Sequence, residues 1–208
     1  MINKKVVMLH GWTDGDISDM PEFLPDNEAN WMGWTKNELE KCGYTVTNPF
    51  IRYGYKSEYK DWKREIDKID IDENTVLVGW SAGGAFFTRW LGETKKHVKK
   101  LILVAPAKIL GVSKDALSKV GWFNEDVIHN PQSNFEKFLH FKLDPEIKNR
   151  VDEIVVFVSN DDEWLVESAR LYAKELDARL IEIKNQVHFL NHQRPEPKFP
   201  EMLKEIMR

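Results

Sequence analysis

The stretch TVLVGWSAGGAFFTRWL at residues 75–91 decides the fold of this chain. Its first four residues form a strand pattern, G-x-S-x-G follows at Gly79–Gly83, and an apolar helical pattern comes next. This order predicts a sharp strand-to-helix turn that exposes the hydroxyl of Ser81, with glycines that let strand and helix approach closely. The N-terminus of a helix also favours negative charge that develops nearby. The stretch therefore predicts a nucleophilic serine at the carboxyl end of a strand.

On both sides of this stretch, short β-rich segments alternate with amphipathic helical patterns. Most of the strand segments are continuous runs of Val, Ile and Leu, as strands covered on both faces by helices require. This alternation predicts an α/β fold with a doubly wound, mainly parallel six-stranded sheet. The six predicted strands are Lys5–Leu9, Thr45–Thr47, Thr75–Val78, Lys100–Val104, Glu153–Val158 and Ala178–Ile183.

Four further windows have the apolar spacing of amphipathic helices. Ser57 is the expected N-cap of the window at residues 59–69, because serine side chains accept hydrogen bonds from the first helical N–H groups. Gly43 is expected to end the window at residues 31–42 in a left-handed conformation. The last window begins near Pro200. The four windows cover residues 31–42, 59–69, 165–176 and 199–206.

A single domain, residues 1–208, is expected from the length of 208 residues. Residues 107–150 depart from the rhythm of strands and helices and scatter large aromatic residues among polar ones. Connections this long usually hold structure of their own or cover a site. We expect one or two helices here, as an insertion near the active-site rim.

The composition restricts the class of protein. A formal net charge of −4 argues against a nucleic-acid partner, since such proteins usually carry a basic face. No apolar run approaches the length of a membrane-spanning helix, and the N-terminus lacks the apolar core of a signal peptide. Cys42 is the only cysteine, so no intrachain disulfide or cysteine zinc site can form. The chain is therefore expected to be cytoplasmic and to act without membrane or nucleic acid.

Acidic residues and a histidine follow later strands in the chain order nucleophile, acid, histidine. Asp161 and Asp162 come directly after the fifth predicted strand, and His188 follows the last one. In such a triad Ser81 attacks, the histidine takes its proton, and a carboxylate fixes the histidine tautomer. Either aspartate could be the acid on this reasoning, and His192 is the alternative base.

These residues resemble the α/β-hydrolase superfamily, and within it the small serine hydrolases related to retinoblastoma-binding protein nine. The resemblance covers nearly the whole chain, from HGW at residues 10–12 through residues 31–39 and the serine turn to His188–Phe189. It implies a six-stranded core in the order 2-1-3-4-5-6, without the two antiparallel strands of larger members. It also implies Asp162 as the acid, three residues after Ser159.

Three positions depart from the pattern of these small hydrolases. The residue before the histidine is Val187 rather than glycine, and the residue before the nucleophile is Trp80 rather than histidine. The fourth residue after the acid is Val166 rather than proline. None of these changes removes a catalytic group, but each alters the surroundings of the pocket.

Backbone N–H groups are expected to form the oxyanion hole. One donor is the N–H of Ala82, directly after the nucleophile, and the other is the N–H of Trp12 in the loop after the first strand. Trp12 and Trp164 each lie beside a predicted catalytic element, so we expect both side chains near the substrate.

The predicted function is that of a carboxylesterase-like serine hydrolase, with Ser81, Asp162 and His188 as the triad. It is expected to cleave a small ester, thioester or amide through an acyl-enzyme intermediate, and no metal or organic cofactor is implied. One alternative is a catalytically weak interaction protein that keeps the fold, because a fold alone does not prove function. Another is perhydrolysis or carbon–carbon cleavage by the same triad.

Overall fold

Six parallel strands form a sheet in the computed structural model of the chain, which describes residues 4–12, 30–52, 56–108, 132–189 and 196–208. The strands are β1 (Lys5–Leu9), β2 (Thr45–Thr47), β3 (Thr75–Trp80), β4 (Val98–Val104), β5 (Val151–Ser159) and β6 (Arg179–Ile183). They lie in the order β2-β1-β3-β4-β5-β6. The predicted α/β fold and its strand order are therefore confirmed.

Three strands are longer than their apolar content predicts, because pairing with neighbouring strands also sets where a strand ends. β3 continues to Trp80, which pairs with Val104 of β4. β4 and β5 both begin earlier than predicted, and Val98 pairs with Val151 there. The extension of β3 brings regular strand structure directly to Ser81.

Helices cover both faces of the sheet. The described helices are α1 (Trp31–Lys41), α2 (Tyr59–Ile66), α3 (Ala82–Thr94), α4 (Asn134–Leu139), α5 (Glu163–Glu175) and α6 (Pro200–Met207), with a 3-10 helix at Pro145–Asn149. α1 contacts α6, while α2, α3 and α4 contact one another, and α5 packs on β5 and β6. The central strands are fully buried, as at Leu77, Ile102 and Val156. Among the described residues, no helix has the length and apolar character needed to cross a membrane.

The ends of α1 and α2 test the capping predictions. Gly43 follows α1 with a φ of 80°, as expected for a left-handed residue. The prediction for Ser57 is wrong, because Glu58 is the N-cap of α2 and its N–H donates to the Asp61 carboxylate over 3.0 Å. The Ser57 hydroxyl instead accepts the indole N–H of Trp62 over 2.7 Å. Ser57 therefore satisfies a buried indole rather than the helix end.

The described part of residues 107–150 packs beside α2 and α3. It contains α4 and the 3-10 helix, and α4 contacts both α2 and α3. Ser133 caps α4 by accepting the N–H of Glu136 over 3.1 Å. Residues 109–131 lie outside the described residues, so the expectation for this part of the segment stays a prediction.

Candidate active site

Ser81 lies at the turn between β3 and α3 in a backbone conformation that L-residues rarely adopt. Its φ is 53° and its ψ is −116°, and it is the N-cap residue of α3. The surrounding backbone fixes this conformation. The N–H of Ser81 donates to the carbonyl of Val104 over 2.9 Å, and its own carbonyl accepts the N–H groups of Gly84 and Ala107. Strained residues held in this way are concentrated at functional sites.

Glycines around Ser81 make this turn possible because a side chain at these positions would collide with the backbone or with Ser81 itself. A Cβ atom on Gly79 would lie 2.7 Å from the carbonyl carbon of Gly83, and one on Gly83 would lie 2.4 Å from the carbonyl oxygen of Leu9. A Cβ on Gly11 would lie 2.8 Å from the Cβ of Ser81. The backbone that leads to Trp12 therefore lies directly against the serine.

Asp162 and His188 form a buried pair at the same edge of the sheet. The Oδ2 atom of Asp162 lies 3.4 Å from the Nδ1 atom of His188, and each side chain is 7% exposed. This is an ion-pair distance rather than an ideal hydrogen bond, and such contacts often tighten when substrate binds. The other oxygen, Oδ1, accepts the N–H of Leu165 over 3.2 Å and so caps α5. Each carboxylate oxygen of Asp162 thus has its own contact.

Asp161 contacts the loop after β6 (residues 184–189, the histidine loop) at Val187 rather than at His188. Its Oδ1 atom accepts the N–H of Val187 over 3.0 Å and the hydroxyl hydrogen of Ser159. Sequence reasoning left both aspartates as possible acids, and in the structure it is Asp162 whose carboxylate faces the His188 ring.

Trp80 links the serine turn to the histidine loop. Its indole N–H donates to the carbonyl of His188 over 3.0 Å, and the two rings lie 5.5 Å apart at 37°. A row of aromatic rings continues from Trp80 to the residue after His188. The ring of Trp31 lies 6.1 Å from that of Trp80 and 5.7 Å from that of Phe199, measured between ring centroids. Phe199 in turn stacks on Phe189 at 5.1 Å. Sequence reasoning saw only a departure from the family pattern here and missed this positioning contact.

His10 lies beneath the loop that carries Gly11 and is buried. Its Nδ1 lies 2.6 Å from the carbonyl oxygen of Gly11, and its Nε2 accepts the N–H of Ile51 over 3.0 Å. Because Nε2 is an acceptor, the ring proton is on Nδ1. Burial lowers the pKa of His10 to about 4, although the Gly11 carbonyl acts in the opposite direction. His10 is therefore neutral near pH 7 and supports the loop.

The segment after β4 is held by polar side chains that sequence reasoning did not identify. Tyr172 donates its hydroxyl to the carbonyl of Ala107 over 3.2 Å, and Ser168 donates to the carbonyl of Pro106 over 2.5 Å. Both side chains come from α5 and are buried. They fix the backbone beside Ser81, and no local sequence signal points to them.

Lys108 joins the start of the insertion to the end of α4. Its ammonium group donates to the carbonyls of Leu139 and Phe141 over 3.2 Å and 2.6 Å. Burial lowers the pKa of Lys108 to about 8, and the nearby positive charge of Arg89 acts in the same direction. A lysine at the start of a long polar segment gives no sequence signal for this buried role.

The structure describes Trp12 fully, Trp164 only as part of a helix, and His192 not at all. Trp12 is half-buried, and its ring contacts that of Phe138 in the insertion at 4.8 Å. The side chain of Trp164 and the whole of His192 lie outside the described residues, so the predictions for both remain untested. Over the described ranges, no group of three or more His, Cys, Asp or Glu side chains could hold a metal ion.

The sheet order and the serine turn define an α/β-hydrolase fold. The family model described as serine hydrolase matches residues 20–205, which is most of the chain. The chain therefore belongs to the serine hydrolase family.

Solved structures of other proteins share this fold. The ydeN gene product of B. subtilis is 21% identical with a TM-score of 0.75, and the match covers 99% of this chain and 97% of that one. A carboxylesterase structure from Nitrososphaera gargenis is 12% identical with a TM-score of 0.63, over 99% and 89% of the two chains. A lipase-esterase related protein from Clostridium acetobutylicum is 15% identical with a TM-score of 0.62, over 99% and 94%. A search of the curated proteins finds no match.

Proposed function

We propose that this protein hydrolyses a small ester, thioester or amide through an acyl-Ser81 intermediate. The observation that carries the proposal is the buried pair of Asp162 and His188 at the same sheet edge as the strained Ser81 turn. The contact between Trp80 and His188 supports it further, because Trp80 directly precedes the nucleophile.

Each residue of this triad has a definite task in the proposed reaction. Asp162 keeps the proton of His188 on Nδ1, so that Nε2 is free to act as the base. His188 takes the proton of Ser81 while the serine oxygen bonds to the acyl carbon. His188 then gives that proton to the leaving group, and the acyl–serine ester remains.

Water completes the cycle. His188 removes a proton from water as the water oxygen attacks the acyl carbon, and the proton then returns to Ser81 as the acid product leaves. In both steps negative charge develops on the carbonyl oxygen. We assign its stabilisation to the backbone N–H groups of Ala82 and Trp12. The N–H of Ala82 belongs to the first turn of α3, where N–H groups have no partner one turn earlier in the helix.

The substrate pocket is proposed to lie under the insertion, with the chain as one domain. The ring contact between Trp12 and Phe138 brings α4 of the insertion to the loop after β1 and supports a position at the rim. Trp12 is proposed to line the pocket, and Trp164 is a second proposed lining residue. The acidic net charge of −4 and the single cysteine fit a cytoplasmic enzyme for small molecules.

A fluorophosphonate probe tests the proposal, because it labels only an activated serine. The wild-type protein should be labelled stoichiometrically, and Ser81→Ala should not be labelled at all. Ser81→Ala should also lower kcat on p-nitrophenyl esters by on the order of 10⁴ or more without changing the melting temperature. Rates along a series from acetate to octanoate would then define the acyl length. Equal labelling of both proteins would refute the assignment of the nucleophile.

A further inference from the structure

The loop that carries His188 has an unusual backbone. Asn185, Val187 and Phe189 have φ values of 57°, 45° and 60°. Asparagine tolerates this left-handed region, but a β-branched residue such as valine adopts it rarely, because its side chain crowds the backbone. Val187 directly precedes His188, so its conformation decides where the imidazole points.

Two side chains at the end of β5 hold this loop. The Asp161 carboxylate accepts the N–H of Val187 over 3.0 Å. The Ser159 hydroxyl accepts the N–H of Gln186 over 2.9 Å and donates its hydrogen to the same Asp161 oxygen. Ser159 is fully buried, whereas Asp161 is exposed to solvent. Two consecutive N–H groups of the histidine loop are thus bound to one strand end.

We propose that Asp161 is a positioning residue that keeps Val187 in its left-handed conformation and thereby holds His188 against Asp162. The inference rests on the proposed function, since it assigns Asp161 a part in placing the proposed base. The Oδ1 atom of Asp161 bonds to the residue before His188 and to Ser159. Asp161 acts through the backbone, because its Oδ1 atom accepts the N–H of Val187.

Two substitutions separate the hydrogen bonds of Asp161 from its charge. Asp161→Asn keeps an acceptor oxygen at Oδ1 and should retain kcat within about threefold, the scale of a screened surface charge. Asp161→Ala removes the acceptor and should lower kcat about 10- to 100-fold, with KM changed less than about threefold, because base alignment rather than substrate binding is lost. Asn160→Ala is the matched control and should keep wild-type kcat, since this exposed neighbour bonds through its backbone N–H to the Ile183 carbonyl at the end of β6.

A double-mutant cycle tests the link to the backbone of Val187. Glycine adopts positive φ without steric cost, so Val187→Gly removes the conflict that Asp161 offsets. Asp161→Ala should therefore cost at least about fivefold less in the Val187→Gly background than in the wild type. Equal losses in both backgrounds would show that Asp161 does not act through Val187.

Amide exchange of Val187, followed by NMR, gives a readout that does not need activity. Asp161→Ala should speed exchange at this amide about tenfold or more, and Asp161→Asn should not. If wild-type turnover does not depend on Ser81, the proposed function fails while the exchange result still tests the contact. If turnover depends on Ser81 but Asp161→Ala keeps wild-type kcat and exchange, the inference is overturned. A loss in Asp161→Asn equal to that in Asp161→Ala would overturn it as well.

Discussion

Substituting Asp162 should separate catalytic activity from stability, because this side chain both faces His188 and caps α5. Its Oδ2 faces the Nδ1 of His188 at 3.4 Å, and its Oδ1 caps α5 through the N–H of Leu165. Asp162→Asn keeps an oxygen for the cap but can place an NH₂ group opposite Nδ1. Two donors would then face each other, so His188 would move its proton to Nε2 and could no longer accept the proton of Ser81.

The loss of kcat and the loss of stability should have different magnitudes. The wrong tautomer should lower kcat by on the order of 10⁴, which corresponds to about 5 kcal/mol of transition-state stabilisation. Stability should change little in Asp162→Asn because the cap persists. Asp162→Ala should lower kcat by a similar order and also lose the cap, which is worth about 1 kcal/mol. For a chain of this size that loss lowers the melting temperature by roughly 2–4 °C.

Initial rates on a p-nitrophenyl ester, together with calorimetry, would measure both effects on the same preparations. The rate of fluorophosphonate labelling provides a second measure of activity that trace contamination does not distort. Asp161→Asn is the matched control, because it changes the neighbouring carboxylate and keeps its acceptor. More than about 1% of wild-type kcat in Asp162→Asn would refute the reasoning, since a tautomer error costs far more. A larger loss in Asp161→Asn than in Asp162→Asn would move the acid to Asp161.

Three further predictions concern the surroundings of the proposed triad. Trp80→Phe removes the hydrogen bond to the His188 carbonyl and keeps the ring contact, so kcat should fall about tenfold with an unchanged KM in steady-state assays. His10 has a pKa of about 4 when folded and of 6.5 when unfolded, so the unfolded chain binds more protons between these values. The free energy of unfolding, measured with urea, should therefore fall by roughly 3 kcal/mol from pH 6.5 to 4, and His10→Gln should lose this slope. Gly83→Ala should fail to fold or lose more than about 4 kcal/mol, because its Cβ would overlap the Leu9 carbonyl; a soluble variant with wild-type melting temperature would contradict this.

The sheet and the serine turn could be predicted because their signals are local. Continuous apolar runs mark buried parallel strands, and the pattern at Gly79–Gly83 has one structural solution between a strand and a helix. The order of the strands followed from the resemblance. The N-cap of α2 could not be predicted as reliably, because Ser57 and Glu58 are neighbours and both can accept a helical N–H.

The finer parts of the candidate site depend on contacts between distant residues. Asp161 and Asp162 have the same side chain, and only the turn after β5 decides which one faces His188. Lys108 finds the carbonyls of Leu139 and Phe141 more than thirty positions later in the chain. Composition and periodicity contain no information about such pairings.

The aromatic contacts behind Trp80 have a consequence for heat inactivation. The proposed nucleophile and base follow β3 and β6, which are separated in the sheet by β4 and β5. Their neighbours Trp80 and Phe189 nevertheless meet through Trp31 and Phe199, and Phe199 is the N-cap residue of α6. α6 has eight residues, and so short a helix depends on its packing rather than on its own hydrogen bonds. Local opening of α6 would therefore loosen the spacing between serine and histidine while the sheet is still intact, and activity should be lost on warming before the global transition begins.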